Sequence, residues 1–349
     1  MSRSKFAGGA YDFRNVVCSG IELSARFVVD TGVATVETVR GPVEAERLGR
    51  TLPHEHIFIL GQETLANFNH RWGDAWWDEE RGLADAVAKL QRVRAAGIET
   101  LVDPTAVGLG RDIRRIQRVN EQVDLNIVVC TGVYAFMELP QFLRYRTVEA
   151  LAGFFVRELT EGIDDTGVRA AFVKCAVEEY GLVGDVPRIL AAVAAAAVET
   201  GAPVMVHTNG AAQSGVVALE TLTAAGVPPE KLVIAHVGDS NDLDYIRRLA
   251  ASGVFLGWDR FNIEHFNPDA KRIETVCAVL DEGYVDQLHF SHDGATFHDF
   301  MVGDPAFAGE EADYLHLSNV ILPQLRERGV ADADIDRIMV DNPHRWLAG

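Results

Sequence analysis

The stretch Thr51-Leu52-Pro53-His54-Glu55-His56-Ile57-Phe58-Ile59 decides how this chain is to be read. It is an apolar, strand-like run interrupted by two histidines one residue apart. Side chains of a β-strand alternate between faces, so residues i and i+2 share one. His54 and His56 therefore aim two imidazoles at one point from the end of a strand. Neutral imidazoles held on rigid backbone suit a divalent metal. Taken alone, the stretch is also compatible with two unrelated strand histidines, one packed and one solvated.

Working outward, further short apolar runs follow at Thr100–Thr105, Asn126–Tyr134, Ala170–Val177, Pro203–Asn209, Lys231–Asp239, Gly253–Phe261 and Gln287–Asp293. They show little alternation, which is the mark of strands buried on both faces in a parallel sheet. Helix-period stretches separate them, for example Gly82–Ala96, Asp185–Thr200, Asn241–Ala251 and Asp269–Glu282. Glycines punctuate the helix ends at Gly97, Gly201 and Gly283. Eight strands, each followed by a helix, predict an α/β protein of the (β/α)8 TIM-barrel type. An open doubly wound sheet is the alternative, but no GxGxxG follows the first strand, so its dinucleotide-binding version has no support.

The chain has 349 residues, is 48% hydrophobic and carries a formal charge of −19. The length suits one elaborated barrel domain. The acidity argues against nucleic-acid or anionic-membrane partners. No apolar run is long enough to span a bilayer. Cys18, Cys130, Cys175 and Cys277 are widely spaced and form no CxxC pair. They predict reduced thiols in a cytoplasmic protein rather than a disulfide framework. Residues 1–35 show little pattern and no secretory h-region, and are expected to be a flexible N-terminal extension. Residues 36–349 are expected to be a single (β/α)8 domain.

Polar residues stand on the predicted strands, most of them at the C-terminal ends, the active face of a barrel. Strand one carries His54 and His56, strand four Lys174, strand five His207, strand six His236 and strand eight Asp293. Burying one ionisable group on each of several core strands costs free energy unless the groups find partners. Five strands doing so together point to a shared metal site. Burial depresses a lysine pKa and leaves a neutral, nucleophilic amine. Such an amine at Lys174 can take up carbon dioxide and become a carbamate, whose two oxygens can bridge two cations. A salt-bridged lysine at the barrel mouth is the alternative.

These residues, with their surroundings, resemble the phosphotriesterase family of the amidohydrolase superfamily, most closely its phosphotriesterase-like lactonases. The matching stretches are Arg50–Phe58, Val102–Ile113, Cys130–Tyr134, Phe172–Ala176, His207–Asn209, His236–Ser240, Trp258–Phe261, Ser291–Asp293 and Asp341–Pro343. They run from about Val39 to the C-terminus, and their order and spacing agree. The resemblance implies two divalent metals, with His54, His56 and Asp293 holding the more buried one and His207 and His236 the more exposed one. Lys174, N6-carboxylated, would bridge them together with a hydroxide. Tyr134 and Arg260 match family positions at the substrate pocket, and a homodimer is implied.

The resulting expectation is a binuclear metal-dependent lactonase acting on N-acyl-homoserine lactones, with weak phosphotriesterase activity. Asp293 would accept the proton of the attacking hydroxide and pass it onward, and Tyr134 would orient the ring or hydrogen-bond the leaving oxygen. Arg260 would hold a substrate carbonyl or make a structural ion pair. A phosphotriesterase or carboxylesterase is the alternative within hydrolases; a catalytically silent metal-binding barrel is the alternative outside them. The ligand types suit Zn, Co, Mn and Fe, with Zn expected first. Two departures from the family pattern concern substrate shape. Trp258 is bulky and is expected to narrow the pocket. The segment from Gly294 to about Glu310, with Phe297, Phe300, Met301 and Phe307, is expected to be a loop forming an apolar channel.

Overall fold

Strands that are apolar on both faces need cover on both, and a closed barrel wrapped in helices supplies it. The computed structural model describes residues 34–72, 76–299 and 314–349. The expected N-terminal extension lies, apart from its last two residues, outside the described residues. The chain enters through an antiparallel hairpin of β1 (Thr35–Thr38) and β2 (Gly41–Glu44), a feature with no counterpart among the predicted strands. Then come β3 (Thr51–Leu52), β4 (His56–Ile59), β5 (Thr100–Asp103), β6 (Asn126–Gly132), β7 (Phe172–Val177) and β8 (Val204–Thr208). They are followed by β9 (Leu232–Ile234), β10 (Phe255–Trp258), β11 (Leu288–Phe290) and β12 (Ala295–His298).

Eight of these form one sheet in the order β11-β10-β9-β8-β7-β6-β5-β3, parallel throughout. The seam is closed by backbone bonds from Asp293 N to His54 O (3.1 Å) and from His56 N to Gly294 O (2.7 Å). Beyond them β12 runs parallel to β4. The fold is the predicted (β/α)8 barrel.

Two differences in detail matter for the site. The predicted first strand, Thr51–Ile59, is broken at Pro53–Glu55, because Pro53 lacks the N–H that a ladder needs. The predicted loop after Asp293 begins instead with β12. Its Phe297 packs against Trp76 and Trp77, with ring centroids 5.6 and 4.7 Å away, so it belongs to the core and not to a channel. Phe300, Met301 and Phe307 lie outside the described residues.

The period of two explains how the barrel carries a site. Val102, Val128, Phe172, Met205, Val233 and Phe255 fill the barrel interior, with Trp346 packed in the same cluster. Two residues further along two of these strands, on the same inward face, stand Lys174 (after Phe172) and His207 (after Met205). The opposite faces of the strands pack on helices such as Glu79–Ala95, Val186–Thr200 and Asp269–Asp281. The apolar layer thus forms a floor on which the polar layer rests.

Candidate metal centre and active site

His236 and Asp293 do not continue their strands. Both adopt left-handed backbone conformations, with φ +65° and +53°. A side chain with Cβ resists that region, so the surrounding bonds must hold it there. The turn ends strand pairing and swings each side chain towards the barrel axis.

The structure brings the predicted ligand set together. Nε2 of His54 and Nε2 of His56 lie 3.1 and 3.2 Å from Asp293 Oδ1. His236 Nε2 is 3.8 Å from Asp293 Oδ2 and 2.8 Å from His207 Nδ1. Lys174 is buried beside them, and its Nζ makes no hydrogen bond. A buried amine without a partner is costly unless it is neutral or chemically modified. Burial is the largest influence on it and pushes its pKa down, against the pull of Asp293 and Asp259. Three Nε2 atoms, one Nδ1, a carboxylate and a neutral amine around one space form a donor set that fits divalent metals.

Each imidazole is oriented from behind. His54 Nδ1 lies 2.7 Å from Asp259 Oδ2, and His236 Nδ1 lies 2.9 Å from Asp259 Oδ1. His56 Nδ1 lies 2.7 Å from Thr105 Oγ1, and His207 Nε2 lies 2.8 Å from Glu178 Oε1. Such partners place the proton on the outer nitrogen and leave the inner one free to ligate. Asp259 and Glu178 carry no assigned role in the sequence reading above. The only signal for Asp259 was its place next to Arg260 at the end of a strand; Glu178 had none, since it follows its strand by one residue.

The electrostatics agree with this geometry. Burial lowers the pKa of His207, and burial with repulsion from Arg260 lowers that of His236 further, so both are neutral at neutral pH. Burial also works downward on His54, but the carboxylates of Asp293 and Asp259 outweigh it and raise its pKa. Burial works upward on Asp259 and Asp293, yet the neighbouring histidines (and, for Asp293, Arg260) hold both well below the usual carboxylate range.

Arg260 donates from Nε to Asp293 Oδ2 (2.9 Å) and from Nη1 to Asp239 Oδ2 (2.9 Å), and stacks over Phe266 at 4.2 Å. Tyr134 donates its hydroxyl to Glu178 Oε1 (2.9 Å), and burial is the main cause that pushes its pKa above the ordinary phenol value. Both residues line a cavity of about 740 Å³ above the histidines, with Phe136, Ile263 and Phe266 on its walls. Trp258 is fully buried among core residues and is not part of that lining, so it does not narrow the pocket as expected. His292 faces Glu55 and the backbone of Leu317.

A barrel with a histidine–carboxylate–lysine cluster at the strand ends defines a metal-dependent hydrolase. Comparison with known proteins makes the assignment specific: residues 34–347 match the model of the phosphotriesterase family, and the chain belongs to that family. It is 38% identical to the "Phosphotriesterase homology protein" of Mycobacterium tuberculosis (strain ATCC 25618 / H37Rv), over 89% of this chain and 96% of the relative. It is 33% identical to the "Aryldialkylphosphatase" of Saccharolobus solfataricus, over 88% of this chain and 97% of the relative. The solved structure of the phosphotriesterase from Mycobacterium tuberculosis superimposes with a TM-score of 0.84 at 37% identity, over 90% of this chain and 98% of that one. Members of the family are binuclear metal-dependent hydrolases, and the cluster His54–His56–Asp293 is a group of this chain that could hold metal.

Proposed function

We propose that this chain is a lactonase that opens N-acyl-homoserine lactones or related lactones, with weaker activity on phosphotriesters. The observation that carries the reading is Tyr134, held by Glu178 on the cavity wall with its ring edge against His207, 5.0 Å between centroids. The cavity beside that phenol and above the histidine cluster has room for a ring ester, whose acyl chain would lie along Phe136, Ile263 and Phe266.

In this proposal His54, His56 and Asp293 would hold one divalent cation, His207 and His236 would hold a second, and Lys174, once carboxylated, would serve as a ligand to both. Zn is the proposed metal, with Co, Mn and Fe accepted by the same donors. When bound, the pair supplies an activated water and a Lewis-acidic pole for the ester carbonyl. Asp293, ionised at neutral pH, would be the group that accepts a proton at its carboxylate and hands it towards the leaving oxygen. Arg260 fixes the rotamer of Asp293 through its Nε–H bond. Tyr134 orients the ring, and the apolar wall excludes water from the acyl chain.

Residues 36–349 would act as one hydrolase domain behind an extension of residues 1–35. A cytoplasmic homodimer is proposed with it. The exposed Phe142, Tyr145 and Tyr180 support a self-association surface, and the buried free thiols of Cys130 and Cys175 suit a reducing compartment. Among the described residues no helix is long and apolar enough to cross a membrane. The name of the Saccharolobus relative favours a phosphotriesterase as the second reading. The test is kcat/KM across a series of N-acyl-homoserine lactones and one aryl dialkyl phosphate. A preference of roughly tenfold or more for the phosphate ester, about 1.4 kcal/mol in the transition state, overturns the order.

A further inference from the structure

Between the two histidines of the first strand stands Glu55, fully buried and with no part in the chemistry above. Its carboxylate is saturated by groups from one short segment. Oε1 accepts from Ser291 Oγ (2.8 Å), His292 N (2.9 Å) and His292 Nδ1 (2.5 Å), and Oε2 accepts from Gly294 N (2.9 Å). His292 Nε2 in turn accepts from Leu317 N (2.9 Å), which places the ring proton on Nδ1, facing Glu55. Ser291 Oγ also accepts from His54 N (3.0 Å), so the same network touches the first histidine. The segment so gripped, Ser291–Gly294, carries Asp293 in its left-handed conformation at φ +53°.

We propose that Glu55 is a positioning residue of the metal centre: it clamps the backbone on both sides of Asp293 and so sets that carboxylate against His54 and His56. The inference rests on the proposed metal role of those three residues. The barrel seam explains why such a clamp is required. The ladder between the first and eighth strands is interrupted here by Pro53 and by the turn at Asp293, and backbone bonds at Asp293 N and His56 N span the gap before β12 pairs with β4. A carboxylate inserted from the His-x-His segment supplies acceptors that the missing ladder would have supplied. It also couples the placement of the three ligand side chains, because Glu55 is bonded along the chain to both histidines.

The test is Glu55→Gln, which keeps shape but replaces one acceptor oxygen by an N–H donor facing an N–H. Zn²⁺ affinity is measured by competition with a chromophoric chelator on apoprotein, with the visible absorption band of the Co²⁺-loaded protein and the melting temperature in parallel. The expected result is Zn²⁺ affinity lower by about 10- to 100-fold and an altered Co²⁺ band, as for other partners that orient metal ligands. Should E55Q fail to fold, Ser291→Ala removes two bonds of the network, the one to Glu55 and the one from His54 N, and weakening of roughly threefold or more is expected from about 0.5–1.5 kcal/mol per bond. Unchanged Zn²⁺ affinity and Co²⁺ band, with only a lower melting temperature, overturns the proposal. Wild-type protein that takes up neither metal overturns the metal centre and this proposal together; variants that match a metal-binding wild type overturn the clamp alone.

Discussion

Asp259 is the residue whose replacement tests the tuning of the centre most sharply. One carboxylate faces two imidazoles: His54 Nδ1 at 2.7 Å and His236 Nδ1 at 2.9 Å, with the backbone N of His236 at 2.8 Å from the same oxygen as its ring. Asp259→Asn is nearly isosteric but has one oxygen and one NH2 group. Whichever way the amide is turned, one imidazole meets a donor where it had an acceptor. That ring must move its proton to Nε2, the nitrogen that faces the other ligands, and there it blocks ligation. The loss of one buried charge-assisted hydrogen bond costs about 1.5–3 kcal/mol. At 1.4 kcal/mol per decade, that is roughly 10- to 100-fold in metal affinity. The assay is Zn²⁺ competition on apoprotein of both forms, with circular dichroism to show that D259N is folded. A folded D259N that binds Zn²⁺ as tightly as the wild type would refute the claim that these imidazoles ligate through Nε2 and are oriented from Nδ1.

Three further outcomes are expected. Lys174→Ala removes the buried amine whose Nζ has no partner, and both metal content and activity should disappear, with partial rescue by short carboxylic acids; full activity in that variant rules out the bridge. Tyr134→Phe deletes the bond to Glu178 and should lower lactone turnover well beyond any change in metal content, so equal losses in both contradict its assigned role. His289 is buried and stacked on Phe255, and burial pushes its pKa down to about 3 from 6.5. Between those values the unfolded chain binds the extra proton, so this contribution is complete above pH about 6.5 and falls by about 1.4 kcal/mol per unit as pH drops towards 3. His289→Phe should flatten the acid limb of a denaturant-midpoint profile between about pH 6.5 and 5, by about 2 kcal/mol; an unchanged slope assigns the acid sensitivity elsewhere.

What the chain determines by itself is local and periodic. Eight apolar runs separated by helix-period stretches spell out the barrel, and the period of two places Lys174 and His207 one inward step above Phe172 and Met205. The candidate ligands were legible because an ionisable residue on an apolar strand has no cheaper explanation than a shared partner. What only the tertiary structure decided is non-local. Asp259 serves two histidines that lie far from it in sequence, and Glu178 becomes a partner of His207 and Tyr134 only when neighbouring strands pair. Trp258, which reads as a pocket residue, turns into the core, and Phe297, which reads as a loop aromatic, packs on Trp76 and Trp77 once β12 pairs with β4. The physical reason is the same in each case. Residue type and spacing report which face of its own element a side chain takes, whereas the partner across that face is set by strand register and barrel closure.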